Sequence, residues 1–321
     1  MERHRESPGP IVVLAGGVGA ARFLRGLTRV VDPASLVVVG NTGDDLWWHG
    51  LYVAPDLDTV SYWLAGRADE ERGWGIRGDS FIVQQALARL GQEEWFQVGD
   101  QDLATHLWRT TQLHAGVPLH AVTAELAQRL GVAARILPMS DQPVTTRLVT
   151  ENGDCHFQEY FVRDRFRPAV RKVYWTGLDS ASPAPGIREA IARARAVLIA
   201  PSNPVISIGP ILRVPGVRAL LEEAREKTVA VSPLIGGRAV KGPTVPLLEA
   251  VGVEADAAGV ARLYQDIAAG FVIDRVDAGQ AASIRGLGYR VVAAETLLDD
   301  PANAARVAVA ALGLAGERAA A

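Results

Sequence analysis

The sequence predicts an α/β fold: a Rossmann-like, mostly parallel sheet with helices on both faces. Residues 11–14 form a short apolar, β-branched run that ends in a glycine turn, and apolar residues then recur at helical spacing. A second apolar run at residues 36–39 completes a β-α-β unit, whose two strands are parallel. The same alternation returns at residues 196–200 and 229–231. Strands that alternate with helices in this way are typical of α/β proteins.

The middle of the chain has a different pattern, because its apolar residues keep helical spacing and strand-like runs are scarce. We therefore predict a mainly helical insertion at about residues 60–131. It interrupts a single domain that covers residues 11–321 and follows a flexible N-terminus at residues 1–10.

The insertion is expected to contain a helical hairpin. Asp100 or Asp102 has the right residue type to cap its first helix, and Gly131 has the right type to end its second. Beyond the hairpin, the strand-like residues 145–149 and 155–162 flank a polar loop that contains glycine. These two segments predict an antiparallel pair added to the parallel sheet.

The composition is that of an ordinary globular protein, since 49% of the 321 residues are hydrophobic and 21% are charged. The formal net charge of −3 provides no basic field for a nucleic acid or an anionic membrane, so we expect neither as a partner. The single cysteine, Cys155, excludes an intrachain disulfide and a CxxC pair. Residues 1–10 lack the apolar core of a signal peptide, and no run of about 18 apolar residues follows, which predicts a cytoplasmic protein.

Polar loops follow four of the predicted strands. Because the carboxyl ends of parallel strands meet at one edge of a sheet, we expect these loops to lie together and to bind a phosphorylated ligand. The first of them matches neither the G-x-G-x-x-G dinucleotide fingerprint nor the P-loop, and alone it is also typical of a turn that permits tight helix packing. The loops are residues 16–22, 41–45, 201–209 and 232–237.

Four aspartates occur within 15 residues in the loops after the second predicted strand: Asp44, Asp45, Asp56 and Asp58. Hard oxygen ligands of this kind suit Mg²⁺ that substrate phosphates also hold. The structural alternative is that each serves as a helix cap or turn residue, for which aspartate is common. His106 is a further candidate polar residue, although a single histidine on a helix is more often structural.

Eight segments, taken in order along the chain, carry a resemblance to a known family: residues 15–23 (AGGVGAARF), 41–45 (NTGDD), 55–59 (PDLDT), 99–106 (GDQDLATH), 137–141 (LPMSD), 156–158 (HFQ), 200–204 (APSNP) and 207–210 (SIGP). Together they resemble the 2-phospho-L-lactate transferase family, called CofD in archaea and FbiA in actinobacteria. The likeness runs from about residue 10 to about residue 300. Eight motifs in order are far more specific than one glycine loop.

The resemblance implies a step in the synthesis of the deazaflavin coenzyme F-420. Family members move a phospholactyl or phosphoenolpyruvyl group from a guanosine diphosphate conjugate to the ribityl hydroxyl of 8-hydroxy-5-deazariboflavin, called Fo. They release GMP, and Mg²⁺ assists the reaction. The expected partners are therefore Fo and a guanosine diphosphate-linked three-carbon acid, and the expected assembly is a homodimer.

The resemblance and the loop chemistry together give expected roles to individual residues. Asp45 and Asp58 are the expected catalytic residues, as ligands of Mg²⁺ or as the groups that meet the attacking hydroxyl. The residues expected to bind substrate or nucleotide are Gly16, Gly17, Gly19, Asn41, Asp44, Asp56, Asp100, Gln101, His106, Ser140, Asp141, Ser202, Asn203, Ser207 and Gly209.

One position departs from the family's pattern, because many members have arginine where this chain has Gln101. Arg77 and Arg109 are candidates to supply the missing charge, and a glycerate conjugate is an alternative donor. A related branch of the superfamily is linked to UDP-sugar binding and to regulation of cell-wall metabolism without the transfer, and nucleotide preference separates the two branches. A nicotinamide-dependent oxidoreductase is the other alternative, which the absence of the dinucleotide fingerprint disfavours.

Overall fold

A seven-stranded sheet forms the centre of the fold, and every pairing within it is parallel. The computed structural model describes residues 9–317, so residues 1–8 of the predicted flexible N-terminus and residues 318–321 lie outside the described residues. In chain order the strands are β1 Ile11–Ala15, β2 Leu36–Gly40, β3 Leu46–Trp48, β4 Leu51–Val53, β5 Arg135–Pro138, β6 Thr145–Thr150, β7 Gly153–His156, β8 Val170–Thr176, β9 Ala196–Ile199, β10 Thr228–Val231, β11 Leu234–Ile235, β12 Arg238–Ala239, β13 Gly270–Asp274 and β14 Arg290–Ala294.

The α-helices connect these strands and surround the sheet. They are α1 Gly17–Leu27, α2 Pro55–Leu64, α3 Ile82–Arg89, α4 Asp100–His114, α5 Leu119–Arg129, α6 Ile187–Arg193, α7 Ile208–Arg213, α8 Val217–Glu223, α9 Thr244–Ala250, α10 Ala257–Leu263, α11 Ala281–Gly286 and α12 Pro301–Leu314. Among the described residues, none of these helices has both the length and the apolar character needed to cross a membrane.

Helices cover both faces of the sheet because its strands are apolar on both sides. Successive strand residues point to opposite faces, so Val12 and Leu14 of β1 belong to one hydrophobic core and Ile11 and Val13 to the other. Helices α6, α7, α8 and α10 pack in the first core, and α1, α2, α5 and α12 pack in the second. The predicted fold class is confirmed.

The order of strands in the central sheet is β14-β13-β10-β9-β1-β2-β5. From β1 the chain first extends the sheet through β2 to β5, and later extends the other side through β9. The strand order therefore reverses between β1 and β9, and a crevice at such a reversal is the usual ligand site of an open α/β sheet. The loops that follow β1 and β9 meet there, where the Gly16 amide donates a hydrogen bond to Ser202 Oγ at 3.4 Å.

The predicted helical segment contains α3, α4 and α5, but its capping differs from the expectation. Neither Asp100 nor Asp102 caps α4; its N-cap is Gly99, and the Asp79 carboxylate accepts the amides of Gln101 and Asp102 at 2.8 and 3.0 Å. Asp100 instead accepts amides at the start of α3. A cap supplied from over 20 residues away cannot be inferred from local spacing.

Two further local predictions are tested by the segments on either side of β5. Gly131 follows the end of α5 with a φ of +76°, a conformation that suits glycine, so its predicted role is confirmed. The antiparallel pair is confirmed as β6 and β7, but it does not join the parallel sheet: together with β8 it forms a separate three-stranded sheet. The predicted strand at residues 155–162 is also wrong beyond His156. The chain there enters a π turn at Glu159–Arg163, and the Glu159 carboxylate accepts the His156 amide at 2.7 Å.

The contact between α1 and α12 depends on a glycine. A Cβ added at Gly26 would lie 2.3 Å from the carbonyl carbon of Ala304. We expect Gly26→Ala to lower the free energy of unfolding by about 2 kcal/mol, because the two helices must separate. Gly313→Ala is the matched control, since nothing lies within 4 Å of its added methyl and the position is helical, so it should leave stability unchanged or raise it by up to about 1 kcal/mol. Urea unfolding of both variants checks this, and equal midpoints would contradict it.

Candidate active site

A cavity of about 1210 Å³ opens at the carboxyl edge of the sheet, where the strand order reverses. Its size exceeds the roughly 300–1,000 Å³ of most small-molecule sites, so it has room for two substrates side by side. Ten residues expected to form the site line this cavity: Gly16, Gly17, Gly19, Asp44, Asp56, Asp58, His106, Ser202, Asn203 and Ser207.

The glycine loop lies against the acidic residues without any intervening side chain. A Cβ added at Gly16 would lie 2.5 Å from Asp56 Oδ2 and 2.7 Å from the Cβ of Ser207. Gly17, the first residue of α1, has a φ of +69°, which suits glycine. A Cβ added at Gly19 would lie 2.4 Å from the carbonyl oxygen of Pro201. These glycines therefore serve close approach between the loops after β1 and β9 and the start of α2.

Asn41, at the end of β2, is fully buried and organises the acidic residues next to the glycine loop. Its Nδ2 donates to Asp44 Oδ1 at 2.5 Å and to Asp56 Oδ2 at 2.9 Å, and its Oδ1 accepts the Gly43 amide at 2.8 Å. Gln158 Nε2 donates to the other oxygen of Asp44 at 3.2 Å. Neutral amides thus orient two carboxylates without neutralising their charge.

Burial makes these carboxylates unusually difficult to ionise. It raises the pKa of Asp44 well above its ordinary value, and the nearby charges of Asp56 and Asp45 add to the effect. Burial also raises the pKa of Asp45 well above its ordinary value and that of Asp56 to about 6. A cation bound among them would favour the ionised forms.

Asp45 carries the clearest vacant ligand atom of the group. Its Oδ2 accepts the Tyr52 hydroxyl at 2.8 Å, whereas its buried Oδ1 has no hydrogen-bond partner. Its backbone carbonyl oxygen accepts from His156 Nε2 at 3.2 Å, which fixes the loop. An unpartnered carboxylate oxygen has the donor chemistry that Mg²⁺ uses, but among residues 9–317 the three ligand atoms that lie within 4.8 Å of one another belong to Asp58, Asp102 and His106 and not to the Asp45 group.

Asp58, in the first turn of α2, has a different environment. Arg109 of α4 donates from Nη1 to Asp58 Oδ2 at 3.0 Å and pairs through Nη2 with Oδ1. Arg109 Nη1 also lies 3.3 Å from His106 Nδ1, and Nε2 of that histidine lies 3.4 Å from Asp102 Oδ1. The Tyr62 hydroxyl donates to the same Asp102 oxygen at 2.7 Å.

One oxygen of Asp58, one of Asp102 and one nitrogen of His106 lie within 4.8 Å of one another, close enough to share a metal ion. The guanidinium of Arg109, however, occupies both oxygens of Asp58 and would repel a cation there. The unpartnered oxygen of Asp45, by contrast, has no hydrogen bond to a guanidinium. Because Arg109 is paired with Asp58, its charge is not available to replace the arginine that many family members have at the position of Gln101.

The remaining expected site residues lie outside the cavity lining. Asn41 contacts the lining residues Asp44 and Asp56 from behind, whereas Asp45 follows Asp44 in the chain and bonds to Tyr52 and His156, which do not line the cavity. Asp100 accepts the amides at the start of α3, and Gln101 donates its amide to Asp79. Ser140 Oγ contacts Gln142, and Asp141 accepts from the amide and the ring of His120. Gly209 lies near the Pro204 carbonyl. Substrate contacts by these five residues, Asp100, Gln101, Ser140, Asp141 and Gly209, stay predictions.

The cavity also has a basic and aromatic part that the sequence patterns did not reveal. Among residues 9–317, no carboxylate lies within 4.0 Å of the four Arg and Lys side chains that line the cavity, so their charge is free for an anionic ligand. Six tryptophan and phenylalanine rings provide flat apolar surface. The cations are Arg22, Arg165, Arg167 and Lys241, and the tryptophan and phenylalanine residues are Trp74, Trp95, Phe96, Phe157, Phe161 and Phe166.

Comparison with known proteins agrees with the segments that carry the resemblance. The family profile described as 2-phospho-L-lactate transferase CofD matches residues 11–293. The chain belongs to the CofD family. A Streptomyces griseus protein named phosphoenolpyruvate transferase is 46% identical over 313 residues, which cover 96% of this chain and 98% of that protein. A Methanosarcina mazei protein named 2-phospho-L-lactate transferase is 41% identical over 288 residues, which cover 90% and 94% of the two chains.

The CofD family fold also occurs in a solved structure of a more distant protein. A UPF0052 family member from Bacillus halodurans superimposes with a TM-score of 0.63 over 95% of this chain and 99% of its own, at 16% identity. Likeness at this level of identity shows the shared fold alone. The family membership therefore rests on the profile and on the two transferases.

The raised pKa of Asp56 predicts a pH-dependent stability. Because the pKa rises from 3.8 to about 6 on folding, the folded state loses stability as the pH increases from about 4 to about 6. Above this range Asp56→Asn should melt about 2–5 °C higher than the parent protein in a chelating buffer, and below it the difference should vanish. Differential scanning fluorimetry across pH checks this. Asp266→Asn, an exposed and distant control, should show no such trend, and a pH-independent effect of Asp56→Asn would contradict the prediction.

Proposed function

We propose that this chain transfers a phosphoenolpyruvyl or phospholactyl group from a guanosine diphosphate conjugate to the ribityl hydroxyl of Fo, releasing GMP, in the synthesis of coenzyme F-420. The single observation that carries the proposal is the large cavity at the carboxyl edge of the sheet, lined both by the glycine loop and by the buried carboxylates Asp56 and Asp58. Carboxylates beside a helix N-terminus suit a ligand whose phosphates are bound together with a cation. Family membership supports the class of reaction.

The reaction forms a bond between the acceptor hydroxyl oxygen and the phosphorus that carries the acid, and it breaks the bond from that phosphorus to the GMP oxygen. The hydroxyl proton must leave as the new bond forms. We assign it to Asp58, because this carboxylate lines the cavity and both of its oxygens are oriented by Arg109. No covalent enzyme intermediate is required, so the main contribution is alignment of two substrates.

The phosphates would lie at the N-terminus of α1, where Gly16 and Gly17 leave room for close approach and Ser202 and Asn203 add polar groups. We assign Mg²⁺ to Asp45, with Asp44 and Asp56 beside it. When bound, the ion neutralises charge on the diphosphate and on the departing GMP. Asp56 contacts the glycine loop directly, so a phosphate at this position would meet a carboxylate unless a cation lay between them.

The basic and aromatic part of the cavity suits the other components. The ring system of Fo requires flat apolar contacts, which Trp95, Phe161 and Phe166 offer. The carboxylate of the three-carbon acid requires a cation, and within residues 9–317 neither Arg165 nor Lys241 pairs with a carboxylate, while Lys241 Nζ is held by the Arg72 carbonyl oxygen at 2.9 Å. Enolpyruvate is the acid we expect first, because the Streptomyces griseus relative is named for phosphoenolpyruvate and has the higher identity. We also propose a homodimer, as the family resemblance implies, and a cytoplasmic location, as the hydropathy of the sequence predicts.

Incubation of the purified protein with Fo, Mg²⁺ and separate guanylyl conjugates of enolpyruvate, lactate and glycerate tests the proposal. We expect GMP and the deazaflavin product by mass spectrometry with one preferred donor, and neither product when a chelator removes the metal. Folded protein that produces no GMP with any donor would overturn the function. Binding of a uridine nucleotide in place of a guanosine nucleotide would then favour the UDP-sugar-binding alternative, and binding of NAD(P)H would favour the oxidoreductase.

The two proposed carboxylates should both be required for turnover. We expect Asp45→Asn and Asp58→Asn each to lower kcat by about 100-fold or more at saturating Mg²⁺, because charge stabilisation and alignment are lost at the reacting phosphorus. Asp266→Asn is the control, since this carboxylate pairs with Arg218 away from the cavity. Steady-state kinetics of the three variants checks this, and near-normal turnover would remove the altered residue from the mechanism.

A further inference from the structure

Arg109 does not line the cavity, yet it contacts the proposed catalytic residues from behind. We propose that Arg109 is a positioning residue that sets the geometry of Asp58 directly and of Asp45 through Tyr52. This inference rests on the proposed function and assigns work to two residues, Arg109 and Tyr52, outside the set expected to form the site.

The contact with Asp58 is the first observation. Two nitrogens of the guanidinium face the two carboxylate oxygens, an arrangement that fixes both the position and the plane of the carboxylate. His106 Nδ1 accepts from the same Nη1 at 3.3 Å, because an arginine can only donate. The guanidinium is therefore held on two sides, and Asp58 has little freedom to rotate.

The contact with Tyr52 is the second observation. Arg109 Nη1 donates to the Tyr52 carbonyl oxygen at 3.4 Å, and the next residue of α4, Thr110, accepts the Tyr52 amide through Oγ1 at 2.8 Å. The hydroxyl of the same tyrosine donates to Asp45 Oδ2 at 2.8 Å. One turn of α4 thus determines where β4 lies, and β4 determines where one oxygen of Asp45 lies.

Burial of the guanidinium is the third observation. Arg109 is 1% exposed, and within residues 9–317 it is the sole Arg or Lys side chain that is fully buried. Burying an ion pair costs desolvation energy, and apolar side chains of similar volume often stabilise a protein as well or better. Stability of the fold therefore does not explain why an arginine occupies this position, whereas orientation of two reacting carboxylates does.

Lysine cannot reproduce the contact, because a single ammonium group lacks the planar pair of donors that matches a carboxylate. We expect Arg109→Lys to lower kcat by about 100-fold with the KM values for Fo and donor changed by less than about threefold, since a displacement of the order of 1 Å has this effect. Tyr52→Phe should lower kcat less, because Asp45 loses one hydrogen bond and keeps its place in the loop. Arg218→Lys is the matched control: its guanidinium also pairs with both oxygens of an aspartate, Asp266, but away from the cavity.

Two further measurements separate positioning from a general structural role. Guanidinium ion added to the Arg109→Ala variant should raise its kcat at least tenfold. The same addition should leave the kcat of Asp58→Asn unchanged. In a double-mutant cycle, Arg109→Lys should add little to the defect of Asp58→Asn, because the two changes remove the same interaction. Thermal unfolding of each variant measures the folded fraction, so that kcat refers to folded enzyme.

A readout without turnover uses Mg²⁺ alone. Saturating Mg²⁺ should raise the melting temperature of the parent protein and of Arg218→Lys, and should raise that of Arg109→Lys and Tyr52→Phe by less than half as much, because Asp45 is displaced. A parent protein that transfers no group from any donor would overturn the proposed function, while the Mg²⁺ measurement would still decide the role of Arg109. Normal kcat and normal Mg²⁺ stabilisation in Arg109→Lys, or losses that match the unfolded fraction, would overturn the inference. Absence of both responses in the parent protein would overturn both proposals.

Discussion

The excess of buried negative charge over buried positive charge is the constraint on which the rest of this site depends. Five aspartates are buried around one cavity, Asp44, Asp45, Asp56, Asp58 and Asp102, and Arg109 is the one buried guanidinium that faces them. In water these charges would interact weakly, but burial strengthens their mutual repulsion and raises the pKa values of three of them. Hydrogen bonds from the neutral amides of Asn41 and Gln158 hold some of these carboxylates, and the guanidinium of Arg109 pairs with another.

This difference in partners lets one small region offer both carboxylates whose charge is unpaired and a carboxylate that is paired with a cation. Asn41 and Gln158 hold Asp44 and Asp56 by donating hydrogen bonds, which leaves their charge available to a ligand. Arg109 instead neutralises Asp58 and fixes its plane. Asp45 lies between these environments, since its pKa responds both to Arg109 and to the neighbouring carboxylates. The part with free charge suits a cation, and the part with paired charge suits an oriented hydrogen-bond acceptor.

Much of this architecture could be predicted because it is encoded locally. Apolar runs that end in polar loops containing glycine or proline identified β1, β2, β9 and β10 and the edge at which their loops meet. Asp44, Asp45, Asp56 and Asp58 are close in sequence, and the sheet leaves them close in space. Strand β13 was missed although it is buried along its whole length and mostly apolar. The predicted strand at residues 155–162 extended too far, because the chain turns at Glu159–Arg163 despite its apolar residues.

The parts that sequence reasoning missed are those determined by distant partners. Arg109 is 51 residues from Asp58, and the α4 cap is supplied by Asp79, over 20 residues from the amides that it accepts. Arg165, Arg167 and Lys241 belong to connecting segments without periodicity, so no spacing associated them with the cavity. Charge pairing across such distances follows from packing, which a single sequence does not reveal.

The central position of β1 has a consequence for the order in which the protein is made. On the ribosome, β1 and its neighbour β2 are complete once residue 40 has emerged, but the other neighbour, β9, begins only at residue 196. Throughout that interval one edge of a wholly apolar strand is open to pairing with any other strand in reach. The contact of the loop after β1 with Ser202 and that of the loop after β2 with Ile206 likewise cannot form until those residues have emerged. A nascent chain of this protein must therefore protect its centre longer than its periphery, and the cavity is among the last features to appear.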